Sequence, residues 1–138
     1  MPKVLIVDDE ADLAADAADY LARYDWTASS VNDGQEALRV LDSSFDAVVL
    51  DLYMPVMNGQ TAFDAIKRRP DLDRLCIVVL TAYGEVDGAV RMIRQGAYQY
   101  LQKPFGLENL MGILSSGIVA EAHALRRSIL AKIGRAHV

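Results

Sequence analysis

The chain has 138 residues, 52% of them apolar, which suits one domain built around one buried core. A formal charge of −5 and a pI near 4.9 argue against a broad nucleic-acid-binding face, so no direct nucleic-acid contact is expected. The single cysteine, Cys76, excludes an internal disulfide framework and a thiolate zinc site.

The opening MPKVLIVDDE lacks a signal-peptide layout, and the apolar runs fall short of the ~18–20 residues that span a bilayer. A reducing, cytoplasmic setting without membrane contact is therefore expected. Along the chain, short Val/Ile/Leu runs alternate with segments of helical spacing. Val4–Val7 is the first run, and continuous runs of this kind suit strands covered on both faces. Ala11–Tyr24 follows, with Leu13, Ala14, Ala17, Ala18 and Leu21 on one helical stripe. Thr27–Val31 is a weaker strand. Gly34–Leu41 is a helix entered through Asp33, with Glu36 three residues on, as in a capping box. Ala47–Leu52 is the third strand, and a helix from about Gln60 to Arg69 stops at Pro70. Ile77–Leu80 is the fourth strand, followed by a helix at Val86–Gln95 that ends on Gly96, a natural left-handed cap. Tyr98–Leu101 is the fifth strand, and a fifth helix begins after Pro104-Phe105-Gly106.

Five β-α repeats predict a doubly wound α/β fold, (βα)5, and right-handed crossovers make its five-stranded sheet parallel. The tail stands apart. Apolar residues continue at Leu110, Leu114, Ile118, Ala122, Leu125, Ile129 and Ile133, which gives one extended helix of about 27 residues, roughly 40 Å long. That extension fits a dimer seam, a connector to an output domain, or a frayed end; Gly112 and Gly117 weaken it.

In open parallel sheets, ligands bind beyond the carboxyl ends of the strands. The first strand here ends in Asp8-Asp9-Glu10, the third in Asp51, the fourth in Thr81 and the fifth in Lys103. Histidine occurs only at His123 and His137, so residues 1–122 do any chemistry without imidazole. Crowded carboxylates repel unless a cation sits among them. Lys103 supplies one positive charge, and a hard dication such as Mg²⁺ supplies the rest. The pattern predicts a seat for a phosphoryl group held by metal, lysine and hydroxyl, with Asp51 as nucleophile. Taken alone, each of these residues is ordinary polar punctuation after a buried strand. Cys76, at the head of the run CIVVL, reads as packing.

The ordered motifs VLIVDDE, VVLDLYMP-VMNG, VVLTAY and YLQKPF resemble the receiver domain of two-component response regulators, over roughly residues 3–120. The resemblance implies a flavodoxin-like strand order 2-1-3-4-5, with a receiver domain at 1–120 and a C-terminal helical extension or linker at 121–138. Asp51 would be the phosphoacceptor. Mg²⁺ would be held by Asp9 and Asp51 directly, by Asp8 mainly through water, and by the backbone carbonyl of Tyr53. Thr81 and Lys103 would hold the phosphoryl oxygens, with Thr81 and Tyr100 as the switch and Lys103-Pro104 a cis peptide. Met54, Pro55 and Gly59 would form the loop after the acceptor, though Pro55 and Gly59 also read plainly as turn formers. The partner would be a sensor histidine kinase or phosphotransfer protein. Phosphorylation would switch the face of the fourth helix, fifth strand and fifth helix toward a partner or output domain. A homodimer through that face or through the C-terminal helix is a further expectation. The protein would act as a switch, promoting only its own phosphorylation and dephosphorylation, and no organic cofactor is implied.

Tyr53 and Tyr83 lie two residues beyond Asp51 and Thr81; two rings shielding the phosphoryl group would lengthen its lifetime, unless both lie outward. Strand alternation places Tyr98 and Tyr100 on one face, Tyr100 switching with Arg91 and Arg94 and Tyr98 packing. Two enzyme or cofactor folds compete. A haloacid-dehalogenase-like phosphohydrolase wants a second Asp two residues after the nucleophile, where this chain has Tyr53. A flavin or nucleotide module wants a Gly/Ser/Thr-rich loop where this chain has Asp8-Asp9-Glu10. A degenerate receiver acting as a scaffold would lack site residues that are all present here.

Overall fold

Strands and helices alternate strictly along the chain in the computed structural model, which describes residues 1–54, 56–82 and 84–136. The strands are β1 (Lys3–Val7), β2 (Thr27–Val31), β3 (Ala47–Asp51), β4 (Cys76–Thr81) and β5 (Gln99–Gln102). The helices are α1 (Ala11–Ala22), α2 (Gly34–Val40), α3 (Gly59–Lys67), α4 (Val86–Arg94) and α5 (Leu107–Ala136), with a 3₁₀ turn at Pro70–Leu72. All strand pairs are parallel, in the order β2-β1-β3-β4-β5. The doubly wound fold and the 2-1-3-4-5 order are as expected. No helix among the described residues is long and apolar enough to cross a membrane.

Why the central strands read as unbroken apolar runs is plain from their burial: every residue of β3 and β4 is buried. The pleat sends alternate side chains to opposite layers. Leu5, Val7, Val48, Leu50, Ile77 and Val79 enter the layer roofed by α2, α3 and α4. Val4, Ile6, Val49, Val78 and Leu80 enter the layer closed by α1 and α5. Each such side chain, once fully buried, stabilises the fold by roughly 1.5–3 kcal/mol.

Local signals set the helix ends. Asp33 accepts a hydrogen bond from the backbone N–H of Glu36 at 2.7 Å, and Asn58 accepts one from Thr61 at 2.9 Å. After α4, Gly96 takes φ +119°, which only glycine adopts without strain. At the far end of α2, Arg69 donates to the carbonyls of Leu38 (2.7 Å) and Leu41 (2.8 Å) and pairs with Asp71, so a cation sits on the helix's negative end.

The fifth helix buries Leu110 and Leu114, then runs on with Val119, Ile129, Leu130 and Ile133 exposed. Gly117 weakens a helix in isolation, but here it lets α5 press against the sheet. A Cβ at this position would meet Cys76 Sγ at 2.5 Å and Tyr98 Cδ2 at 2.7 Å. Burial pushes the Cys76 thiol up to about 12, with Glu121 adding to the effect, which keeps it inert packing.

One expectation needs correcting. Tyr98 and Tyr100 do not share a face: Tyr98 packs in the α1/α5 layer and Tyr100 in the α4 layer. The alternation rule fails because Tyr98 lies before β5, which begins at Gln99, outside the regular pleat.

Candidate acidic phosphoryl site

Strand register assembles the site. Val7 pairs with Leu50, so the next residues of β1 and β3, Asp8 and Asp51, emerge side by side. Thr81 pairs with Gln102, and the backbone N–H of Lys103 donates to the Thr81 carbonyl at 2.8 Å. The apolar strands thus deliver Asp8, Asp51, Thr81 and Lys103 to one edge. Asp8 and Thr81 are fully buried and Asp51 is 6% exposed, whereas Asp9 faces solvent.

One carboxylate oxygen from each of Asp8, Asp9 and Asp51 lies within 4.8 Å of the others. Among the described residues, one ammonium answers them: Lys103 Nζ stands 2.8 Å from Asp8, 2.9 Å from Glu10 and 3.5 Å from Asp51. Asp8 Oδ2 is buried and, among the described residues, accepts no well-aligned hydrogen bond; the Lys103 charge is what lies against it. Burial, then the neighbouring Asp8, pushes the Asp51 carboxyl up to about 7, against the pull of Lys103. Burial alone would pull Lys103 down. Its bonds to Asp8 and Glu10 and the attraction of Asp51 outweigh burial and hold the ammonium above the ordinary lysine range.

An under-neutralised trio of oxygens, with the buried Asp8 oxygen met by the Lys103 charge but by no well-aligned hydrogen bond among the described residues, fits a small hard dication. Mg²⁺ suits the donor set, since it takes a few carboxylates and keeps its remaining positions for water and phosphate. The residues present therefore fit the metal that the pattern implies.

Around this centre, Thr81 Oγ1 reaches, among the described residues, the Ala82 carbonyl alone, at 3.4 Å, which leaves its hydroxyl weakly committed. The Lys103-Pro104 bond is cis. Gly59 sits beneath the acceptor loop, where a Cβ would meet Leu52 Cα at 2.7 Å and the Asp51 carbonyl oxygen closer still. Tyr100 is partly buried against the α4 layer, and Arg91 and Arg94 are exposed on α4. Tyr53 is 58% exposed, so its ring lies largely outward. Pro55 and Tyr83 lie outside the described residues.

A family model described as the response regulator receiver domain matches residues 4–115. The chain belongs to that family. It is 38% identical over 111 residues to the transcriptional regulatory protein PrrA of Mycobacterium leprae, a span covering 80% of this chain and 47% of that protein. It is 32% identical over 116 residues to the DNA-binding transcriptional regulator NtrC of Escherichia coli, covering 83% of this chain and 24% of NtrC. The chain thus spans about half the length of the first relative and about a quarter of the second. Among solved structures, the receiver domain of NtrX from Brucella abortus superposes with a TM-score of 0.77 at 28% identity, covering 84% of this chain and 98% of that one.

In this receiver, two contributions escape a reading of the sequence. Glu10 is visible in the run Asp8-Asp9-Glu10, yet nothing in the string says that it reaches Lys103, 93 residues away. Leu13 belongs to the helical stripe of α1, but it stays half-buried because it lines a cleft beside the site with Glu10, Lys103, Pro104 and Phe105.

Proposed function

We propose that this receiver is a phosphorylation-controlled switch whose phosphoacceptor is Asp51. Asp9, Asp51 and the backbone carbonyl of Tyr53 would hold Mg²⁺ directly, with Asp8 acting mainly through water. When bound, the metal neutralises the carboxylates and the charge that builds up on the transferring phosphoryl group. A carboxylate oxygen of Asp51 attacks phosphorus; the donor's bond to phosphorus breaks and the donor keeps the electron pair. The product is an acyl phosphate. Lys103 pairs with its oxygens, and the loosely held Thr81 hydroxyl turns to donate to it. Tyr100 follows Thr81, and the α4-β5-α5 face carries the change to a partner. Apart from this self-phosphorylation and self-dephosphorylation, the receiver turns over no substrate.

A single observation carries this reading: Asp8, Glu10 and Asp51 converge on one ammonium, and burial with the neighbouring Asp8 pushes the Asp51 carboxyl up to about 7, a crowding of negative charge that a dication would relieve. The donor is a sensor histidine kinase or phosphotransfer protein. Residues 1–120 form the receiver body, and α5 beyond residue 120, as far as Ala136, is a helical connector toward an output domain or a second copy. The relatives' names, a transcriptional regulatory protein and a DNA-binding regulator, support an output that lies outside this chain. Incubation with acetyl phosphate and Mg²⁺, read by intact mass, tests the assignment. Gain of one labile phosphoryl group, absent in D51N, supports it. Steady release of phosphate without a bound group would indicate a hydrolase, and no reaction a docking scaffold.

A further inference from the structure

The Lys103 ammonium has three N–H donors and three carboxylate neighbours, but it does not share itself equally. Its two short contacts go to Asp8 and Glu10, at 2.8 and 2.9 Å, and the long one goes to Asp51, at 3.5 Å. Asp8 is buried and belongs to the acidic trio. Glu10 stands outside that trio with its side chain 63% exposed. Its place is set by the backbone, since the Glu10 N–H donates to Asp8 Oδ1 at 2.9 Å at the entry to α1. Leu13, Pro104 and Phe105 line the cleft around the pair, so the carboxylate has open space into which to swing. Water can replace the ammonium on Glu10 at small cost, which makes this the one anchor that Lys103 can exchange readily.

We propose that Glu10 is a positioning residue that holds Lys103 back from Asp51 until a phosphoryl group arrives, and so sets how tightly that group is captured. This rests on the phosphoacceptor reading above. The Glu10 contact breaks when Lys103 turns to a phosphoryl oxygen, so its strength counts against capture. Removing the charge while keeping the shape, E10Q, should therefore strengthen capture.

The test uses beryllofluoride, a phosphoryl mimic, titrated in Mg²⁺ and followed by NMR. The expected result is about three- to fivefold tighter binding in E10Q than in the native chain, the gain set by loss of one half-exposed ion pair. D12N makes the same charge change at an exposed residue two positions on and should leave the affinity unchanged. In metal-free protein, the Lys103 ammonium resonance should move in E10Q and not in D12N. Equal affinities in E10Q and the native chain, or an equal gain in D12N, would overturn the proposal, the second outcome showing only bulk charge. Should the native chain and both variants all fail to take up the mimic, the phosphoacceptor reading itself falls, and the Glu10 capture role falls with it.

Discussion

Replacing Asp51 by Asn should make the metal-free protein more stable at neutral pH and remove part of its pH dependence. In the fold, burial and Asp8 raise the Asp51 carboxyl to about 7, whereas an unfolded chain releases that proton near the ordinary 3.8. Between those values the folded state binds more protons than the unfolded state, so stability falls as pH rises through the window. Each tenfold change in proton affinity corresponds to about 1.4 kcal/mol. Integrated from about pH 5 to about pH 8, this single group removes on the order of 2–3 kcal/mol. Urea unfolding in the presence of a chelator, at both pH values, measures it. The native chain should lose stability toward the higher pH, D51N should lose clearly less, and Mg²⁺ should flatten the native curve. Parallel curves for the native chain and D51N would show that the charge crowding assigned to Asp51 is not there.

Three further outcomes follow from features outside the acidic cluster. Gly117→Ala gains about 1 kcal/mol of helix propensity, but its methyl group overlaps Cys76 and Tyr98, so denaturant melts should show a net loss of about 1–2 kcal/mol. Arg69→Met uncaps the carbonyls of Leu38 and Leu41, which should cost about 1–2 kcal/mol and speed amide exchange at the end of α2. Val56 is a β-branched residue at φ +67° in the loop after the acceptor, and it is 80% exposed, so Val56→Gly should raise stability by about 1 kcal/mol in thermal unfolding.

Much of the fold was legible because burial on both sheet faces leaves a simple trace in the sequence. The runs AVVLD and CIVVLT read as strands since nothing but apolar side chains fits between two helical layers. The polar residue closing each run then marks the site edge, which is why the sequence alone groups Asp8, Asp51, Thr81 and Lys103. Side-chain reach was not legible. The bond between Glu10 and Lys103 joins residues 93 positions apart through register and loop path, neither of which a linear string encodes. Nor did periodicity place Tyr98, because the alternation rule holds only inside a strand and β5 starts one residue later. Gly117 reads as a weak point of the helix because propensity is a local property; its use comes from Cys76 and Tyr98, contacts made by the tertiary fold.

The most direct test of the phosphoacceptor assignment is chemical location of the phosphoryl group. After treatment with acetyl phosphate and Mg²⁺, borohydride reduces an aspartyl phosphate to homoserine, and peptide mass mapping finds where. Homoserine at position 51 alone is the result expected here. Homoserine at another aspartate, or none on a chain shown to be folded and metal-replete, would contradict it.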